Sequence, residues 1–595
     1  MKLTKKLLIL STAAASLLTA CGPVGPDNSP VTKISIYSFN GGVGNVWLDN
    51  AIAEFTALKE GHSYEEGKTG VSITWWGDTH SAGAINRMGS SGDALLFTEK
   101  GDTPYSLANR GLAYDITEIV QSKADESEAY TIEEKLDSSY LGLLTGQDGK
   151  YYALPHYEWY PGLTYDVTAF DNGGVNPFYF AAPEETEVNR YTAITEGYNF
   201  GTANFITTLE GKKSCGNDGV YGTDDDGLPS SVQEFLILCS YLKSQGITPL
   251  AFPGNHRDYT AYLLQGFLTA LVGKEGIHDF YDFEGTLNAL DVDASGKIQF
   301  KAGEELFCEG SGIPAPKVVT KTVTEKTGYL TRETYERYYL AGLMKMLVNC
   351  GFFTDKAMNT SANNLQTQKG FINGVKQYAC AMLIEGSYWF NESINEGYFE
   401  KYYKENREER NVAWMSLPST LTGSVTPVNE GEEAHKTPLL DTGYSYCFVN
   451  KNAMVKGSEG YREAVADFVK FLYTDYSLKE FTKASGACKA GFEYDYTSEE
   501  VLDELKPFQQ TLMNLKKSNG VVYAKASNTT FKSNQLEFQF GIEAPIWQST
   551  IGSTTYKDYI SVFYNPDNPN ISVASAVEGS FISSVVWANN LYKGN

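Results

Sequence analysis

From residue 33 the chain alternates apolar and polar positions, with Ile34 and Ile36 on one face, until Asn40-Gly41-Gly42 breaks the run. Period-two alternation closed by glycines predicts a half-buried strand. Trp47, Ala51 and Phe55, with Leu48 and Ile52 beside them, then recur at helical spacing. Residues 71–76 read as a second strand, 84–88 as helical, and 94–97, after Gly92-Asp93, as a third strand. Strand, helix, strand, helix, strand predicts a parallel sheet with crossover helices.

A second αβ region follows the same logic. Ser231 and Glu234 form an S-x-x-E capping signature ahead of a stripe of Val232, Phe235, Cys239 and Leu242 that ends near Gly246. Residues 248–252 read as a strand and 259–272 as a helix, with further short strands at 379–384 and 412–417. Val465, Phe468, Val469 and Leu472 make a helix face at i, i+3, i+4, i+7. These stripes are core-forming. No repeat of solenoid period interrupts them.

The first thirty residues have a different pattern. Lys2, Lys5 and Lys6 precede an apolar stretch, 7–20, that is too short and too interrupted by Ser and Thr to span a bilayer. It ends in Leu18-Thr19-Ala20-Cys21, which resembles the bacterial lipobox. Residues 1–20 are therefore expected to be a signal peptide, Cys21 the lipidated mature N-terminus, and 21–30 a tether. A formal charge of −25 over 595 residues argues against nucleic-acid binding, which needs a basic surface. The other seven cysteines are scattered and contain no C-x-x-C pair, so neither a disulfide framework nor a zinc site is supported.

Several ordered segments resemble the large extracellular solute-binding family of sugar ABC importers, the family 1, maltodextrin-binding type. They are Tyr37-Ser38-Phe39-Asn40-Gly41-Gly42 before Trp47, Gly92-Asp93-Ala94-Leu95-Leu96-Phe97, and Leu107-Ala108-Asn109-Arg110-Gly111-Leu112 with Asp115-Ile116-Thr117. Tyr151-Tyr152-Ala153-Leu154-Pro155 with Gly162-Leu163-Thr164-Tyr165-Asp166, and Ala381-Met382-Leu383-Ile384-Glu385-Gly386-Ser387-Tyr388-Trp389, continue the series. The resemblance implies an α/β, two-lobed periplasmic-binding-protein-like fold (type II), closing on a ligand by hinge motion. Crossings are expected near 163–169 and 444–451. Residues 31–163 plus 445–515 would form lobe 1, and 164–444 plus 516–595 lobe 2. Extra length is expected as insertions at 172–229, at 280–331 and near the C-terminus. The implied function is capture of a carbohydrate, as a monomer, on the extracellular face of the cytoplasmic membrane, held there by the N-terminal lipid. The implied partners are that carbohydrate and the permease subunits of an ABC transporter.

Sugar recognition needs aromatic faces for pyranose C–H groups, and carboxylates and amides for hydroxyls. Ligands of open αβ sheets bind outside the carboxyl ends of strands. Candidates at such ends are Phe39 and Asn40, Trp76 and Asp78, Glu99 and Thr103, and Asn255 and His256. Glu158 and Trp159 belong to a run, 156–159, expected not to be buried whole. Glu385, Tyr388 and Trp389 complete the set. The acidic glycine loop 215–227 offers Asn217, Asp218, Asp224 and Asp226 as ligands for a structural calcium, or it is a plain solvated turn. No cofactor is otherwise required. No H-E-x-x-H, P-loop or G-x-S-x-G motif is present. Two rivals stay open: a glycoside hydrolase or lyase using a carboxylate pair such as Glu158 with Glu385, and a binder of peptides or other polar solutes on the same fold.

Overall fold

The computed structural model describes residues 29–78, 88–99, 103–171, 176–373, 380–429, 431–443, 445–524 and 547–591. The expected signal segment, Cys21 and nearly all of the tether lie outside the described residues, as does most of the expected helix at 84–88.

Strands β1 (Thr32–Ser38), β2 (Val71–Trp76) and β3 (Leu95–Glu99) form the parallel part of the first sheet, with β1 between the other two. Ser445–Val449 then lies antiparallel to β3, and β4 (Leu154–Pro155) pairs antiparallel with its far edge. The sheet therefore takes in a strand from almost 350 residues downstream. Its inner face buries Ile34 and Ile36, and helix Val46–Leu58 lays Trp47, Leu48 and Phe55 against the same core.

The second sheet has β5 (Pro161–Asp166) between Val412–Trp414 and Cys380–Gly386, antiparallel to both, with Thr248–Ala251 parallel on the outer edge. Cys380–Gly386 is buried throughout, with Met382 and Ile384 in one core and Leu383 in the other. A strand covered on both faces reads as a continuous apolar run, which this one does. Helices Val232–Ser244, Thr260–Asp282 and Tyr335–Asn349 supply much of the larger core. The hairpin Val188–Thr195/Tyr198–Ile206 and the ladders formed by Thr286–Leu290 with Val318–Thr322 and Phe300–Glu305 with Pro314–Pro316 are additions to this half.

The molecule is thus a two-lobed mixed α/β protein in which each lobe is discontinuous in sequence. The chain leaves the first sheet after β4 and enters the second at Pro161, so the first crossing is residues 156–160. The boundary expected after Leu163 falls inside β5 and moves upstream, because β5 pairs only within the second sheet. Leu439–Asp441 lies parallel to Val521–Tyr523 in a separate two-stranded ribbon, and the second crossing expected near 444–451 moves upstream, because Ser445–Val449 already pairs with β3. Helix Pro507–Asn519 packs Phe508 against Trp389, Phe390 and Trp414 of the second lobe, and its Met513 against Cys488 of the first. It spans the junction. Among the described residues no helix is long and apolar enough to cross a membrane.

Candidate functional site

The first crossing organises the site. His156, Tyr157, Glu158, Trp159 and Tyr160 are all buried, contrary to the expectation that the run stays partly open. The reason is an ion pair. The Glu158 carboxylate meets Lys516 of the junction helix and accepts from the hydroxyls of Tyr160 (2.6 Å) and Tyr523 (3.2 Å). Glu158 thereby ties the crossing to the ribbon strand Val521–Tyr523 and to the junction helix. Its oxygens are already engaged, so it acts as a structural clamp at the crossing.

Trp159 faces the other way, into the junction of the lobes. Its ring lies 5.3 Å from Tyr262 and 5.3 Å from Tyr388. Tyr262 lies 4.9 Å from Tyr259, and Tyr259 lies 5.9 Å from His256. The row His256, Tyr259, Tyr262, Trp159, Tyr388 runs from an exposed loop into the junction, with Asn255 at its exposed end. The hydroxyls of Tyr259 and Tyr262 each stand 3.4 Å from that of Tyr388.

Carboxylates and amides back this row. Gln368 Nε2 donates to Glu385 at 3.3 Å and to Glu392 at 2.9 Å, while its carbonyl accepts from Ser393. Burial raises the Glu392 carboxyl above its usual range, against the opposing pull of hydrogen bonds from Gln368 and the Gly42 backbone. Burial, followed by the nearby Glu385, pushes the Tyr259 hydroxyl far above the ordinary tyrosine range; burial with the neighbouring tyrosines and Glu385 does the same to Tyr388. Both tyrosines are neutral donors and acceptors at any physiological pH.

The remaining candidates divide. Phe39, Asn40 and Asp78 sit together at the carboxyl ends of β1 and β2, where the Asn40 N–H donates to the Asp78 carbonyl at 2.8 Å. Asp78 also accepts from the Tyr37 hydroxyl at 3.0 Å. Trp76 is 40% exposed, but its ring is edge-on to Tyr37 and its indole N–H donates to Asp93 before β3. Trp389 is wholly buried; its indole donates to Thr164 Oγ1 at 2.9 Å and it packs among Phe371, Phe390 and Phe508. It is a core residue, not a sugar platform. Tyr259, Tyr262, Gln368 and Glu392 were not among the sequence candidates. The i, i+3 tyrosine pair following Asn255-His256 is the signal that points to the first two. Gln368 comes from a distant helix and left no such trace.

The acidic loop is built around Asp225. Its Oδ2 accepts from the backbone N–H groups of Asn217 and Asp218, and its Oδ1 from Thr223. Asn217, 1% exposed, donates to the Leu417 carbonyl and Thr437, and accepts from Ser419. Asp224 accepts from Asn514, and Asp226 from the Gly222 N–H. Among the described residues no group of three or more His, Cys, Asp or Glu side chains gathers as a metal site.

No protein-family model matches the sequence, and no curated protein does. Solved structures do. A chitin oligosaccharide binding protein is similar at 14% identity and TM-score 0.49, over 95% of this chain and 100% of that one. The cyclic alpha-maltosyl-1,6-maltose binding protein from Arthrobacter globiformis is similar at 13% identity and TM-score 0.49, over 95% and 100%. A Thermus thermophilus maltotriose binding protein is similar at 13% identity and TM-score 0.44, over 94% and 100%.

Proposed function

We propose that this chain captures a carbohydrate, an oligosaccharide in particular, between its two lobes and passes it unchanged to an ABC-type importer. The observation that carries the reading is the aromatic row from His256 to Tyr388, backed by Glu385, Gln368 and Glu392 at the crossing of the lobes. Rings with polar tips supply flat apolar faces and hydroxyl partners together. The lipobox-like Leu18-Thr19-Ala20-Cys21 completes the reading: a monomeric body held by lipid at the outer face of the bacterial membrane, where a permease can meet it. A hydrolase needs two free carboxylates flanking the scissile bond. Glu158 is held by Lys516, Tyr160 and Tyr523, which favours a structural role for it over partnership with Glu385 in hydrolysis.

The test is a thermal-shift panel of mono- and oligosaccharides and short peptides, with every sugar hit analysed for cleavage. A ligand that binds only the folded state must raise its melting temperature. Selective stabilisation by intact sugars supports capture. Product formation would establish an enzyme, and a response to peptides alone would overturn the carbohydrate assignment while leaving the fold standing.

A further inference from the structure

A cavity of ≈ 310 Å³ lies within the second lobe, and no member of the aromatic row lines it. Its walls come from segment 180–183, from strand Tyr198–Ile206 of the added hairpin, from the start of helix Val232–Ser244 and from segment 423–425. The backbone explains why the space is there. Segment 179–183 runs beside the hairpin strand, the Ile206 N–H donating to the Tyr179 carbonyl and the Ala181 N–H to the Asn204 carbonyl. The next donor in that ladder falls at Pro183, which has no N–H. Pairing stops there, and Thr202 and Ala203 of the strand line the cavity beyond it.

The lining has the chemistry of a polyol site. Phe180, Ala182 and Ile237 are buried and form an apolar wall. Polar groups converge from the other sides. The Glu234 carboxylate accepts from the Ser230 N–H and hydroxyl, each at 2.8 Å, and from the Ser424 hydroxyl at 2.5 Å. Ser424 has given its proton to Glu234, so it presents lone pairs to the cavity. Gln233 donates one amide proton to the Phe200 carbonyl and has a second to offer. Asn204 and Ser214 bring further donors and acceptors to the same space. An apolar wall with a few convergent polar groups is the usual make-up of a small-molecule site.

Charge and size narrow the ligand. Among the described residues Glu234 is the one charged side chain that lines the cavity. It is 8% exposed and sits in the first turn of its helix, where the backbone N–H dipoles favour a negative charge. With its hydrogen bonds from Ser230 and Ser424 it needs no cation, and it repels an anion. The fitting ligand is neutral and rich in hydroxyls. The volume lies at the lower end of the range for small-ligand sites, which suits one sugar ring and not a chain.

We infer that this cavity is a second binding site, for a single neutral sugar unit, independent of the lobe junction. The inference goes beyond the proposed capture between the lobes and does not depend on it. A site confined to one lobe has no differential contact with the open and closed states, so it fills in both and moves neither.

The experiment titrates the full chain by calorimetry with glucose, galactose, xylose and N-acetylglucosamine, and with glucuronate and ethanolamine as charged controls. At least one neutral sugar is expected to bind the wild type and Tyr262→Ala equally well. Glu234→Gln, which keeps the shape and removes the charge, should weaken that binding at least about tenfold. Ala203→Phe, which fills the cavity and leaves the Glu234 hydrogen bonds in place, should abolish it, and this variant decides if Glu234→Gln does not fold. Both charged controls should bind more weakly than the neutral sugar. A sugar whose binding falls with Tyr262→Ala and survives both cavity variants sits at the junction, which overturns the inference. A wild type that binds none of the four sugars, or that prefers ethanolamine or glucuronate, overturns it as well. Should maltotriose, xylotriose and chitotriose all fail to bind while the cavity takes its sugar, the junction reading falls and the second site stands.

Discussion

Two buried charges at the crossing make opposite predictions for stability. Glu158 and Lys516 are paired at 1% and 4% side-chain exposure, with two tyrosine hydroxyls completing the carboxylate's shell. Removing one member of such a pair strands the other, so Glu158→Ala should cost about 3–5 kcal/mol in chemical denaturation. Lys489 has no such partner in its immediate cage. Its ammonium sits among the rings of Trp47, Phe481 and Tyr473, 3.1 Å from His156 Nδ1, and burial lowers its pKa to about 7 against a weaker opposing pull from Cys447. The unfolded chain binds this proton up to about pH 10. Between about pH 7 and 10 the unfolded state therefore holds more protons, and stability from this group rises with pH. Lys489→Met should be the more stable protein near pH 7, by on the order of 4 kcal/mol at most, with the advantage shrinking toward pH 10. A constant difference across that range would refute the burial argument. Neither charge was legible in the sequence as structural. Glu158 looked like a ligand contact because it sits in a polar-aromatic run, and nothing local announces a lysine 358 residues away.

Elements set by local pattern were readable, and elements set by distant partners were not. The stripe Val465, Phe468, Val469, Leu472 is buried in helix Glu459–Leu472 as its spacing requires. The Ser231 hydroxyl does accept from the Glu234 N–H, but the Glu234 carboxylate turns to Ser230 and Ser424 instead of closing a reciprocal box. The difference arises because segment 420–425, remote in sequence, lies beside the helix start. In the acidic loop, Asp218, Asp225 and Asp226 accept from the loop's own N–H groups, while Asp224 accepts from Asn514 of a helix remote in sequence. Burial, with the Asp218 charge second, raises the Asp225 pKa to about 6. The folded loop thus holds a proton that the unfolded chain has released above about pH 4. Its contribution to stability is present below that point and is lost as pH rises through 6. Asp225→Asn should flatten the melting temperature between pH 4 and 6 relative to wild type. Added calcium should leave the wild-type melting temperature unchanged at neutral pH if the loop is a plain turn, whereas a rise of several degrees would place an ion there.

At the scale of the whole molecule, alternation of strands and helices was enough to predict αβ sheets and the resemblance implied two lobes, but the junction had to be seen. Sheet order comes from pairing strands hundreds of residues apart, and no local pattern states that Ser445–Val449 lies beside β3 or that β5 begins a new sheet at Pro161. The same non-locality gathers the aromatic row: Trp159 comes from the crossing, Tyr259 and Tyr262 from the start of one helix, and Tyr388 from the turn after Cys380–Gly386. Sequence reading found the members that sit in motif-like runs and missed those that merely face them. Tyr262 provides the sharpest test of the row as a working surface. It is partly buried, touches both Trp159 and Tyr259, and makes none of the ion-pair contacts that hold the crossing. An aromatic pair is worth about 0.5–1.5 kcal/mol beyond its buried area, and 1.4 kcal/mol is about tenfold in affinity. Tyr262→Ala should therefore weaken carbohydrate binding about tenfold while leaving the denaturation midpoint within the range of an ordinary partly exposed substitution. If binding stays intact and stability collapses instead, the row is core packing at the lobe junction, and the ligand must be held by the polar ends of β1 and β2 around Asn40 and Asp78.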